Sequence, residues 1–74
     1  MESMQEFLEK VAEVLEVPAV QPGDAFRDVP MWGSLTGFAL VVMIEQKYGK
    51  RLTAADFAPL KTVADLAAAV GVGA

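Results

Sequence analysis

The sequence contains no cysteine and no histidine. Without cysteine there is neither a disulfide framework nor a thiolate, and nothing argues for an oxidising compartment, so a reducing cytoplasm is expected. With both residues missing, the usual general base, thiolate nucleophile and soft metal ligands are gone; we expect a non-enzymatic protein without catalytic residues or a metal. Basic side chains are also few. Six stand against ten acidic ones, a net charge of −4 that disfavours phosphate backbones and argues against nucleic acid. The longest apolar run, FALVVMI, falls far short of the roughly 20 residues that cross a bilayer, so no membrane insertion is expected. The start MESMQEFLEK has neither a basic flank nor a small-residue cleavage site and does not read as a secretory signal.

What is present is helix-forming. At 74 residues the chain is expected to be one domain over 1–74, since a chain this short cannot enclose two cores and buries only about 60% of its unfolded surface; a monomer is expected. A hydrophobic content of 54% leaves it apolar surface to spare. Ser3 and Glu6 have capping-box spacing, and Met4, Phe7, Leu8, Val11, Val14 and Leu15 then recur at three- and four-residue intervals, the stripe of a first helix stopped by Pro18. Pro22, Gly23, Pro30 and Gly33 mark a long loop, in which Phe26, Val29 and Trp32 are the candidate anchors, Phe26 and Val29 being expected inside.

A second helix is expected from Ser34 to about Tyr48, closed by Gly49. Helical spacing places Leu35, Phe38, Val41, Ile44 and Tyr48 inward and Gly37, Val42 and Gln46 nearer the surface, with Leu40 and Met43 unassigned. Thr53 caps a short helix cut off by Pro59. Thr62 and Asp65 open a last helix with Val63, Leu66, Ala67 and Val70 inward and Gly71 as its stop, followed by a frayed GVGA tail. No alternating strand pattern occurs. The fold class is all-α, a small four-helix bundle with three main helices, one short helix and a long loop between helices 1 and 2.

Few residues suggest chemistry. Asp24 and Asp28 read as solvated loop acids, and Gly33 and Gly37 lack the GK[ST] of a phosphate-cradling loop. Ser34, just ahead of the apolar run, reads locally as a helix N-cap worth about 1 kcal/mol.

The wider pattern resembles the acyl carrier protein family, the phosphopantetheine-attachment domains. Phe26, Asp28-Val29, Ser34-Leu35, Tyr48-Gly49, Leu52 and Thr62-Val63 fall at that family's spacings without a gap, WGSL resembles its WDSL variant, and TVADLAAAV its closing helix. The resemblance implies a fold of acyl-carrier type and a Ser34 hydroxyl that attacks the pyrophosphate of coenzyme A, aided by a separate phosphopantetheinyl transferase, to gain 4′-phosphopantetheine through a phosphodiester. The arm's thiol would hold acyl or aminoacyl groups as thioesters for loading and transfer enzymes. Gly33, Leu35, Val42, Met43 and Glu45 are the partner-docking residues it implies. The family spans fatty acid, polyketide, nonribosomal peptide and D-alanyl pathways, and none is singled out.

Two features depart from the family pattern. Gly33 replaces its usual aspartate, and Glu45 is the only carboxylate of the second helix, followed by Lys47, Lys50 and Arg51. An alternative reading is therefore a degenerate, unmodified carrier-like domain that serves as a protein interaction module.

Overall fold

The computed structural model describes residues 3–72. The first helix, α1 (Met4–Leu15), starts on the expected exchange: the Glu6 N–H donates to the Ser3 hydroxyl at 3.1 Å, and the Ser3 N–H donates to the Glu6 carboxylate at 3.3 Å. α1 ends before Pro18 is reached. Glu16 adopts the left-handed conformation (φ 58°), its N–H bonds the Ala12 and Glu13 carbonyls, and the Val17 N–H returns to Ala12. The stop is thus a Schellman closure rather than a proline block.

After the long connection come α2 (Ser34–Tyr48), the one-turn α3 (Ala54–Phe57) and α4 (Val63–Val70). Three main helices and one short one, with no strand among the described residues, match the all-α bundle expected from the sequence. α1 packs against both α2 and α4. Phe7, Val11 and Leu15 of α1 meet Leu40 and Ile44 of α2 and Val63 and Leu66 of α4 in a core with no exposed atom to speak of, while Phe7 meets Tyr48 edge-on at 5.5 Å.

The connection is pinned to this core through Phe26, fully buried at the head of a 3₁₀ turn (Phe26–Asp28). Backbone bonds zip it to the junction before α4: Phe26 N–H to Lys61, Val63 N–H to Asp24 and Ala64 N–H to Pro22. Asp24 is not merely a solvated acid, because its carboxylate accepts the Gln21 N–H at 2.8 Å and fixes the preceding bend. Val29, expected inside, is half-buried against the core, and so is Val70 of α4.

The register of α2 corrects the sequence reading. Leu35 and Phe38, expected inward, are 84% and 68% exposed, whereas Leu40 and Met43 are buried and Val41 only half so. Ile44 and Tyr48 do face the core, and Gln46 faces water. Stepping back from Ile44 by four residues reaches Leu40; stepping by three reaches Val41 and rotates the first half of the helix by about 100°.

At the other end, Gly71 is left-handed (φ 91°) and donates to Ala67 and Ala68, and Val72 is buried with its N–H on Ala67. The expected fraying therefore does not reach Gly71 and Val72; Gly73 and Ala74 lie outside the described residues.

Two expectations follow from the helix ends. A left-handed non-glycine residue costs about 1–2 kcal/mol, and glycine's greater freedom when unfolded takes back about 0.4–1 kcal/mol. Glu16→Gly, which also removes a negative charge from the negative end of α1, should stabilise the fold by about 0.5–1 kcal/mol in urea unfolding.

The second concerns acid. Hydrogen bonds from the Ser3, Thr53 and Thr62 backbone N–H groups hold the Glu6, Asp56 and Asp65 carboxyls below their ordinary values of 4.5, 3.8 and 3.8. A depressed folded-state pKa contributes stability above the unfolded value that is lost as pH falls through the folded one. Stability should therefore fall as pH drops below about 4.5. A Glu6→Gln, Asp56→Asn, Asp65→Asn triple variant should show a shallower fall in the same titration.

Candidate functional site

The start of α2 differs from the starts of the other three helices. α1, α3 and α4 each open with a complete capping box, in which a Ser or Thr hydroxyl and an acid three residues on satisfy each other's backbone donors. α2 opens on Gly33, which is extended (φ −172°, ψ −179°) and offers no side chain. Helix geometry leaves the N–H groups of Ser34, Leu35 and Thr36 without intrahelical acceptors, and no acid stands in the first turn. The Thr36 hydroxyl turns away and donates to the Met31 carbonyl at 2.8 Å.

Ser34 is therefore not the cap that its local sequence suggests. It occupies the first helical position, exposed, and its hydroxyl bonds no other described residue. Three free donors and the positive end of the α2 dipole converge where that hydroxyl emerges, a setting suited to an anionic oxygen. Position 33 is itself open, since a Cβ built on Gly33 has nothing within 4 Å. The donor set and the open space both fit a covalently held phosphopantetheine.

An open apolar groove of about 700 Å³ runs from Ser34 between α2 and α3. Trp32, Phe38, Val41 and Phe57 are its principal walls. Trp32 lies on α2 because Gly37 has no side chain; a Cβ there would stand 3.3 Å from the indole Cζ2. Phe26 links the walls from beneath, 5.6 Å from the Trp32 ring and 5.4 Å from Phe57.

Of the residues singled out from the sequence, Gly33, Ser34 and Leu35 stand together, exposed, at the head of α2. Val42 is half-buried further down, and Glu45 is exposed but held by Arg51 at 3.0 Å. Met43 is corrected: at 8% exposure its side chain fills the space between helices and is not presented to a partner. Phe38 and Met31, 68% and 55% exposed, were missed as surface residues. No sequence signal marked Phe38, because Leu40 and Val41 are equally apolar candidates for the inward turn before Ile44.

No curated protein matches the chain significantly. The sequence profile of the phosphopantetheine attachment site family, however, matches residues 5–70, a stretch that takes in all of α2, α3 and α4 and nearly all of α1. With the helical bundle already in place, that match makes the chain a member of the phosphopantetheine attachment site family, the carrier domains to which 4′-phosphopantetheine is covalently attached.

Proposed function

We propose that Ser34 is the residue that takes the phosphopantetheine arm, and that the chain works as a single-domain carrier of acyl or aminoacyl groups served by separate enzymes. The observation that carries this reading is the bare start of α2: an unengaged hydroxyl beside three unmet backbone donors. In the loading step the Ser34 Oγ gives up its proton and bonds to phosphorus, the pyrophosphate P–O bond of coenzyme A breaks, and its nucleotide half leaves. The transferase supplies the base. The free N–H groups of α2 then face the phosphodiester's negative charge, an effect of about 0.3–1 kcal/mol at an exposed helix end. Once attached, the arm supplies a thiol that holds cargo as a thioester.

The outer face of α2 is the surface we assign to partner enzymes, with the transferase as its first occupant. Leu35, Phe38 and Val42 follow one another along it, next to Gly33. Its one carboxylate, Glu45, is committed to Arg51. A partner reading this face meets apolar surface and little free charge, so association rests on burial rather than on charge steering. No described helix is long and apolar enough to cross a membrane.

Intact mass after incubation with coenzyme A and a broad-specificity phosphopantetheinyl transferase tests the assignment. The parent should gain one phosphopantetheine and Ser34→Ala none; no gain in the parent would favour the unmodified interaction module. Gly33→Asp, which restores a capping acceptor, should load faster and stabilise the fold by about 0.5–1 kcal/mol.

The docking face is tested by the same enzyme's kinetics. Phe38→Ser should raise its KM about tenfold, as loss of an apolar contact residue does, and Glu45→Gln should raise it less than about twofold. The parent KM should change little between low and high salt.

A further inference from the structure

Arg27 is half-buried in the middle of the aromatic cluster behind the groove. Its guanidinium carbon lies 4.6 Å from the Phe26 ring centre, 4.9 Å from Phe57 and 5.9 Å from Trp32. Its two terminal nitrogens donate to main-chain carbonyls, Nη1 to Leu60 and Nη2 to Phe57 at 3.1 Å. These carbonyls belong to the end of α3 and the turn after it. α3 needs such an attachment: it has four residues, none fully buried, and one capping box at its start. Its outgoing end is held by Arg27, which reaches across from the connection between α1 and α2.

Two walls of the groove are Trp32, from that connection, and Phe57, from α3. Among the described residues, Arg27 is the one side chain that touches both rings while bonding the backbone that carries Phe57. The planar fork suits this task. It offers two donors in fixed geometry to two carbonyls and a flat face to the rings, which a lysine ammonium does not.

We propose that Arg27 is a positioning residue that sets where α3 stands, and so how far the groove beside Ser34 is open. Its placement matters for carrier function only if Ser34 is the attachment residue, and in that respect the inference rests on the reading above. With Arg27 in place, Phe57 stays packed on Phe26 and the groove keeps its shape. Without it, α3 swings on its Thr53 end while the core formed by α1, α2 and α4 remains.

The test uses the full, unmodified chain, so that its outcome is independent of whether Ser34 can be loaded. Amide exchange is followed at Phe57, Ala58 and Leu60, whose N–H groups bond Thr53, Ala54 and Phe57, and at core amides of α1 and α4. In Arg27→Gln the α3 amides should exchange about tenfold faster, the size expected for losing charge-assisted hydrogen bonds, with α1 and α4 unchanged. Acrylamide quenching of Trp32, the sole tryptophan, should rise in parallel. Arg27→Lys should fall between parent and Arg27→Gln, because it keeps the charge but not the fork. Unchanged α3 exchange in Arg27→Gln would overturn the proposal. So would equal acceleration in α1 and α4, which would make Arg27 a general support of the fold. A chain that fails to load in the transferase assay yet shows the selective α3 effect refutes only the Ser34 assignment.

Discussion

Everything at the functional end of this molecule depends on one buried ring. Phe26 sits in the core with no exposure, and a fully buried side chain of this size stabilises by about 1.5–3 kcal/mol. Its burial holds a connection otherwise broken by prolines and glycines, and the backbone bonds beside it lock that connection to the segment before α4. From this fixed point the chain runs through Val29 and Trp32 to Gly33, so that α2 must begin at the solvent end of the bundle. The same ring supports Trp32 and Phe57, and thereby the groove that opens beside Ser34. Packing, loop path and site geometry therefore share one anchor.

Against that anchored background, the helix ends divide into two kinds. Three starts are closed by reciprocal hydrogen bonds, as a small domain with little stability in reserve requires. The fourth is left open by a glycine, and no described side chain meets the backbone donors there. On the reading proposed above, a phosphodiester on Ser34 would satisfy them as a side-chain oxygen would, while leaving its substituent in water. The family match supplies the identity of the group, and the local geometry supports the proposal that Ser34 takes it.

Much of this was legible in the sequence because it is written in short-range chemistry. Ser3 with Glu6, and Thr62 with Asp65, mark two helix starts by hydroxyl and acid at fixed spacing, and Gly49 and Gly71 mark two ends by their tolerance of positive φ. The facing of α2 was not legible. From Phe38 to Ile44 every residue is apolar, so no polar position breaks the symmetry of the run and the burial pattern is set by contacts with α1 and the loop. The inward choice of Leu35 and Phe38 failed for that reason, and with it the surface role first given to Met43. The end of α1 was misread differently: Glu16 takes a conformation that favours glycine, and the eye stops at Pro18 instead. Arg27 carried no motif at all, because its contacts join segments about thirty residues apart.

The central claim is that the open head of α2 carries its prosthetic group on Ser34. Its most direct test is fragmentation mass spectrometry of the α2 peptide from the protein isolated from its own cells. The account requires phosphopantetheine, with or without cargo, localised to Ser34. A peptide bearing no such group at Ser34, or bearing it on Thr36 instead, would contradict it.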